Sequence, residues 1–163
     1  MKNTLFFLLI LLSLGSCNQK KKIWAKSFIH QKAPELIVEE WLSEKPDLQG
    51  KFVLVDFWAT WCAPCKKGIP ELNSFQNEFK DDLVVIGITD ESKEKVGRYV
   101  GPAIEYYSAI DTKKRVMGLL EVRGIPHCIL IDPKGIVRWE GLPQLEGFEL
   151  TSEVIQDLIK KYK

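Results

Sequence analysis

The chain has 163 residues, of which 45% are hydrophobic and 28% are charged, a composition typical of one globular domain with a single core. Lysine and arginine total 23 against 22 aspartate and glutamate, which argues against a protein that binds nucleic acid by neutralising phosphates. Four cysteines are too few for a disulfide-dense scaffold of this length, so each of them needs its own explanation.

Residues 1–16 are predicted to be an export signal and not part of the fold. Lys2 supplies one positive charge, residues 5–12 are uninterruptedly apolar, and small residues follow before a boundary. The apolar run is too short for a membrane-spanning helix, which needs about 20 residues. The mature chain is therefore expected outside the cytoplasm, where disulfides persist.

The end of this signal resembles the lipobox of bacterial lipoproteins, on the residues Leu-Gly-Ser-Cys at 14–17. The resemblance implies that Cys17 is lipidated and becomes the mature N-terminus; a plain signal peptide is the alternative. Residues 17–32 begin with a polar stretch without periodicity and are expected to form a tether. The folded domain is expected at 33–163.

The rest of the chain alternates predicted strands and helices. Short β-branched and aromatic runs indicate buried strands, and apolar residues at helical spacing indicate amphipathic helices. In chain order the prediction is an edge strand at 33–38, a turn at 45–50, a strand at 52–58, a helix at 66–80, a strand at 83–88, a helix at 91–100, a strand at 106–110, a helix at 115–121, a hairpin of strands 128–131 and 136–140, and a last helix capped by Thr151. This order predicts one α/β domain on a mixed sheet.

The strongest functional signal is a Cys-x-x-Cys motif at Cys62 and Cys65, between a predicted strand and a predicted helix. A helix N-terminus stabilises the thiolate, which is the nucleophilic form of cysteine. Two intervening residues place the second sulfur one turn along, where it can attack a mixed disulfide formed by the first. We predict that Cys62, nearer the exposed end, attacks and that Cys65 resolves. Pro64 suits the first helical turn, where its missing N–H costs nothing.

A zinc site and a static structural disulfide are the alternatives for this motif. Zinc needs two further ligands, for which His127 and Cys128 are the candidates, but adjacent strand residues face opposite sides of a sheet. Cys128 otherwise fits an apolar core position, and His127 fits a locally bonded strand residue. The charged residues of the predicted helix at 91–100 are expected to form a solvated helix face: Glu91, Lys93, Glu94 and Lys95.

Residues 55–66, Val-Asp-Phe-Trp-Ala-Thr-Trp-Cys-Ala-Pro-Cys-Lys, resemble the active-site stretch of the thioredoxin superfamily. Within it the chain is similar to the TlpA/ResA-type envelope-anchored thiol-disulfide oxidoreductases. Further likenesses are a cis-proline loop at 124–126, the helix proline Pro70, a late hairpin at 131–141 and an insertion at 92–118. The resemblance implies a thioredoxin fold, with a mixed central β-sheet flanked by helices, an N-terminal strand extension and a central strand-helix insertion.

Asp56 is the most informative single residue of this stretch. Burial within a strand raises the pKa of an unpaired carboxyl, and Asp56 stands six residues before Cys62, as the buried aspartate of thioredoxins does. We expect it to exchange the proton of Cys65; a solvated, edge-facing carboxyl is the alternative. Many TlpA/ResA-type proteins carry a glutamate where this chain has Gly68, and in this the chain departs from the subgroup.

The cis-proline loop is expected to complete the site. The resemblance implies that Pro126 follows a cis peptide bond and packs against the disulfide, and that the backbone of Ile125 pairs with substrate. Trp61, Ala63 and Pro64 are expected to contact substrate as well, Trp61 with a flat surface that shields the disulfide.

These features predict a thiol-disulfide oxidoreductase of the bacterial cell envelope, anchored to a membrane by lipid, that acts as a reductant on protein disulfides. No donor side chain lies between the two cysteines, so the thiolate is only mildly stabilised and the dithiol reduces well. Apocytochrome c is a partner that the resemblance implies, and an upstream reductant must recharge the enzyme. No cofactor, metal or nucleic acid is expected. The alternatives are a disulfide oxidase or isomerase, a copper metallochaperone on the same fold, and a redox-inactive binding module.

Overall fold

The computed structural model describes residues 23–163, so the predicted export signal and Cys17 lie outside the described residues. Within this range six strands form one sheet in the order β1-β4-β3-β2-β5-β6. The strands are β1 Glu40–Trp41, β2 Phe52–Phe57, β3 Leu83–Thr89, β4 Tyr107–Ile110, β5 His127–Ile131 and β6 Val137–Gly141. The helices are α1 Ala63–Glu78, α2 Lys93–Val96, α3 Arg115–Leu119 and α4 Ser152–Tyr162. In this part of the chain no helix has the length and apolar character needed to cross a membrane.

The sheet is mixed, as predicted. Strands β2, β3 and β4 run parallel, whereas β1, β5 and β6 join antiparallel to their neighbours. Except for the first strand and the helix after β3, the predicted elements agree with the structure to within three residues at each end. Thr151 caps α4 by accepting a hydrogen bond from the N–H of Val154, as expected from its position.

Strand β2 lies at the centre of the sheet and is buried along its whole length. Phe52 and Leu54 pack with α1 and α4 on one face, whereas Val53 and Phe57 pack with α3 on the other. Alternate residues of a strand face opposite sides of a sheet, so a strand covered on both faces has an almost continuously apolar sequence. Asp56 is the single break in that sequence, on the face that α1 covers.

The predicted edge strand at 33–38 is wrong. Just before this segment a single bridge joins Lys32 to Ile136, and regular pairing begins after it, with the two residues of β1. Leu36 and Val38 are partly buried against the α3 side of the core instead. These two side chains therefore serve packing and not a backbone ladder, whereas Ile37 between them is exposed.

The predicted helix at 91–100 is reduced to the four residues of α2. Ser92 is its N-cap and accepts a hydrogen bond from the N–H of Lys95 at 3.4 Å. Gly97 ends the helix, and its N–H donates to the carbonyl of Lys93 at 2.8 Å. Glu91 consequently precedes the helix and does not share its solvated face.

Candidate active site

The Cys-x-x-Cys motif forms the start of α1, directly after the loop that follows β2. Cys62 is the N-cap, with extended backbone, and its sulfur accepts a hydrogen bond from the N–H of Cys65 at 3.2 Å. Pro64 occupies the first helical turn, where a backbone N–H would have no partner in the helix. The two cysteines are bonded to each other, so the structure represents the oxidised state. The arrangement places Cys62 Sγ at the positive end of the helix dipole.

Exposure does not separate the two cysteines in this state. Cys62 is 2% exposed and Cys65 is 3% exposed, which contradicts the expectation that Cys62 is the more open of the two. Position in the helix does separate them, because Cys62 lies ahead of the first turn and Cys65 lies within it. The backbone N–H at the helix start therefore stabilises charge on Cys62 and not on Cys65.

The disulfide packs into a small apolar cluster at this end of the sheet. Trp58 and Ala59 are its other buried members, and Ile125 is among the partly buried residues that pack against it. The Ile125–Pro126 peptide bond is cis, as the resemblance implies, and Pro126 itself is buried. The cis-proline loop thus reaches the cysteines from the side of β5.

The residues between and before the cysteines form the open rim of the cluster. Trp61 is 67% exposed, although it is a large aromatic residue next to a buried disulfide. Ala63 and Pro64 are also exposed. An exposed apolar rim of this kind is a surface on which another chain can pack.

Asp56 is buried, with 1% exposure, so the alternative of a solvated carboxyl is wrong. In the sheet it lies between Gly87 of β3 and Cys128 of β5. Its Oδ1 accepts a hydrogen bond from the thiol of Cys128 at 3.4 Å, and its Oδ2 has no hydrogen-bond partner among the described residues. Burial raises the pKa of Asp56 to about 7, although Cys128 and the nearby Tyr106 hydroxyl oppose the rise. The carboxyl therefore changes its protonation state near neutral pH.

Gly68, where the subgroup carries a glutamate, faces the loop that follows β6. A Cβ atom at Gly68 would lie 2.8 Å from Nε2 of Gln144, so this amide occupies the space that a side chain would need. One turn further along α1, burial raises the pKa of Glu71, and a hydrogen bond from the same Gln144 opposes part of this rise. Gln144 and Glu71 are thus polar groups on this side of α1 in this chain.

Glu91 belongs to the site, and the sequence analysis missed it. Its carboxylate accepts hydrogen bonds from the backbone N–H of Thr60 at 2.5 Å and from the Thr60 hydroxyl at 3.0 Å, and it pairs with Lys95 at 2.6 Å. Burial acts to raise the pKa of Glu91, but the bonds from Lys95 and Thr60 outweigh it and hold the pKa below its usual value. Glu91 therefore fixes the active-site loop two residues before Cys62. Its position just beyond the end of a buried strand, where loops meet at the sheet edge, was the available signal.

His127 and Cys128 lie on opposite faces of β5, as strand geometry requires. The ring of His127 stacks on Phe57, with centroids 6.3 Å apart, whereas the thiol of Cys128 bonds to Asp56 on the α1 face. The two side chains therefore do not converge on one ion. Among residues 23–163 no group of three or more His, Cys, Asp or Glu side chains is placed to hold a metal.

A disulfide-bonded cysteine pair at a helix N-terminus, a cis-proline loop against it and a buried carboxyl on the central strand together define the class of thioredoxin-like thiol-disulfide oxidoreductases. Comparison with known proteins agrees. The model of the AhpC/TSA family matches residues 29–140, and the chain belongs to this family. The protein is a thiol-disulfide oxidoreductase with a thioredoxin-like fold.

Three similar proteins illustrate the relationship. The chain is 32% identical over 142 residues to the thiol-disulfide oxidoreductase ResA of Bacillus anthracis, which covers 83% of this chain and 79% of the relative. It is 32% identical over 115 residues to the thioredoxin-like protein YneN of Bacillus subtilis, covering 66% and 68%. Among solved structures, the thioredoxin domain of a thiol-disulfide oxidoreductase from Bacteroides vulgatus superposes with a TM-score of 0.61 at 25% identity, covering 82% of this chain and 96% of that one.

Proposed function

We propose that this enzyme reduces disulfides of exported proteins in the bacterial cell envelope. The proposal that the enzyme acts as a reductant is supported by the surroundings of Cys62 Sγ. Among residues 23–163 the hydrogen bond to this sulfur comes from the Cys65 amide, and neither Ala63 nor Pro64 has a polar side chain. A thiolate with so few donors is stabilised only modestly, so the dithiol form gives up its electrons readily.

The proposed reaction runs in two exchange steps. The Cys62 thiolate attacks one sulfur of the substrate disulfide; a Cys62–substrate bond forms, and the second substrate sulfur leaves as a thiolate. Cys65 then gives its proton to Asp56 and attacks Cys62 Sγ. The Cys62–Cys65 bond forms, and the first substrate sulfur leaves as a thiolate that is protonated from water. Two electrons have passed to the substrate, and the enzyme is left in the oxidised state.

Asp56 suits the role of proton acceptor in the second step. A base works best when its pKa is close to the working pH, and burial brings the pKa of Asp56 to about 7. The carboxyl lies on the sheet face that α1 covers, and Cys65 is in the first turn of that helix. The same residue returns the proton when an upstream reductant reopens the disulfide.

Substrate is proposed to bind across the rim of the apolar cluster. Trp61, Ala63 and Pro64 offer exposed contact surface, and the backbone of Ile125, which packs against the disulfide cluster, is proposed to pair with an extended peptide segment. Exported proteins with cysteine pairs are the proposed substrates, with apocytochrome c among them. A separate envelope reductant is proposed to restore the dithiol.

Trapping experiments test this function. In the variant Cys65→Ser the second step is blocked, so mixed disulfides through Cys62 should accumulate and identify substrates; Cys62→Ser is the matched control and should trap none. Equal trapping by the two variants, or trapping by neither, would refute the exchange mechanism. A reduction potential close to that of the strong oxidant DsbA, about −120 mV, would replace the reductive direction by disulfide oxidation.

Lipid anchoring through Cys17 is a separate part of the proposal. It rests on the sequence at 14–17 and places the domain on a polar tether at the membrane surface. Labelling with a radioactive fatty acid, followed by membrane fractionation, tests it. The variant Cys17→Ala should lose the label and leave the membrane fraction; unchanged fractionation would refute the anchor.

A further inference from the structure

Cys128 is the cysteine that the exchange mechanism leaves unused. It is fully buried, and among residues 23–163 it is the cysteine outside the disulfide. Its thiol donates to Oδ1 of Asp56 at 3.4 Å across the β2–β5 pair. The sequence analysis treated it as an apolar core residue, and its packing among core side chains agrees, but a polar contact with the site carboxyl is an additional property.

Of the residues paired in register with Asp56 on the two adjacent strands, only one has a side chain. Residues paired in register on adjacent strands project to the same face, and the partner of Asp56 on β3 is Gly87, which has no side chain. The partner on β5 is Cys128, and beyond it on β6 stands Gly141, again without a side chain. Cys128 is thus the group through which the sheet itself touches the carboxyl.

The other groups that face Asp56 come from different elements. Tyr106, which precedes β4, and Trp58 cover Gly87, with Cε2 and Nε1 at 3.0 and 3.1 Å from the place of a Cβ atom, and the Tyr106 hydroxyl lies near the carboxyl and favours its charged form. From α1, the charge of Glu71 reaches Cys128, and Cys65 is held in the disulfide. Among the described residues no cation pairs with Asp56. The bond from the thiol of Cys128 to Oδ1 is the one that fixes a particular carboxyl oxygen within the sheet.

We propose that Cys128 is a positioning residue for Asp56: its S–H bond to Oδ1 orients the carboxyl, stabilises the carboxylate and leaves Oδ2 as the oxygen that exchanges a proton. A hydrogen bond donated to a carboxylate favours the charged form over the neutral acid. Burial keeps the pKa of Cys128 well above its usual value, so the thiol remains a donor throughout the range in which Asp56 titrates. The consequence for catalysis rests on the proposed role of Asp56 as proton acceptor.

The test compares Cys128→Val with Cys128→Thr in the full chain. Valine and threonine have nearly the same shape and both suit a strand, so the two variants differ in the presence of a donor hydroxyl. The pKa of Asp56 is measured by carbon NMR on the oxidised proteins, in which Cys62 and Cys65 do not titrate. Valine should raise this pKa by about half to one unit relative to threonine, and threonine should leave it at or below the wild-type value.

The second measurement is the pH dependence of mixed-disulfide resolution. With valine at 128, the rate below the midpoint should fall about three- to tenfold while the rate at high pH is unchanged, because the profile moves with the pKa of Asp56. If valine and threonine shift the pKa of Asp56 equally, the hydrogen bond has no such role and the proposal is overturned. A shift of the pKa without a matching shift of the rate profile upholds the Cys128 bond and instead overturns Asp56 as the proton acceptor. If Cys128→Val does not fold, Cys128→Ala takes its place in the comparison with Cys128→Thr.

Discussion

Replacing Asp56 by asparagine should stabilise the protein and impair its chemistry at the same time. Burial raises the pKa of this carboxyl from an ordinary value near 3.8 to about 7. The folded protein therefore binds more protons than the unfolded chain between these two values, and the free energy of unfolding falls as the pH rises through this range. One pKa unit corresponds to about 1.4 kcal/mol, so the carboxylate destabilises the fold by at most about 4 kcal/mol above pH 7.

Asparagine resembles the protonated acid in shape and cannot ionise. At pH 4 the variant Asp56→Asn and the wild type should unfold with similar free energies, and at pH 8 the variant should be more stable by up to about 4 kcal/mol. The assay is denaturant unfolding of the oxidised proteins from pH 4 to 8. Resolution of the mixed disulfide by Cys65 should meanwhile slow about 100-fold at neutral pH, a loss typical of a missing general base.

Asp132→Asn is the matched control, because Asp132 is also buried but is fully bonded. Burial acts to raise its pKa, but hydrogen bonds from the N–H groups of Ile136 and Lys134 and from Arg138 hold the pKa below its usual value. Asparagine at 132 should therefore lower stability at neutral pH, the opposite sign. If the stability curves of Asp56→Asn and the wild type run parallel from pH 4 to 8, Asp56 is not the source of the pH dependence and the reasoning fails.

Two further substitutions test how the site is held. Glu91→Gln weakens the hydrogen bonds to the active-site loop and should lower the free energy of unfolding by about 1–3 kcal/mol, measured with denaturant. Lys95→Met removes only the exposed partner of Glu91 and should lower it by less than about 1 kcal/mol. Equal losses in the two variants would contradict the role of the loop hydrogen bonds. Gly124→Ala would place a Cβ atom 2.2 Å from Cε3 of Trp24, so it should lower the free energy of unfolding by about 1–3 kcal/mol and alter tryptophan fluorescence. Gly118→Ala, which has open space around it, is the control and should be neutral or stabilising. If Gly124→Ala changes neither stability nor fluorescence, Trp24 does not pack there.

The successful predictions concern features that local sequence controls. A buried strand has a recognisable apolar run, the glycine and aspartate of the β5–β6 turn are typical of tight turns, and Thr151 is a usual helix cap. The failures concern segments whose structure depends on distant partners. Leu36 and Val38 pack against the α3 side of the core. Glu91 bonds to the active-site loop because a strand end and that loop meet in space.

The sequence by itself determined the chemistry of the protein: two cysteines separated by two residues at a strand-helix junction and a carboxyl inside an apolar strand. These follow from spacing along one chain, because a helix start and a strand interior are local environments. The cis bond before Pro126 was expected from the family resemblance. The tertiary structure decided which groups act on that carboxyl. Cys128 stands 72 residues from Asp56 in the chain, and only the antiparallel register of β2 and β5 brings the thiol to Oδ1, while the in-register residue on β3 is Gly87, which has no side chain. Long-range strand register is set by the whole core and not by either strand alone, which is why a residue predicted as filler lies at the site.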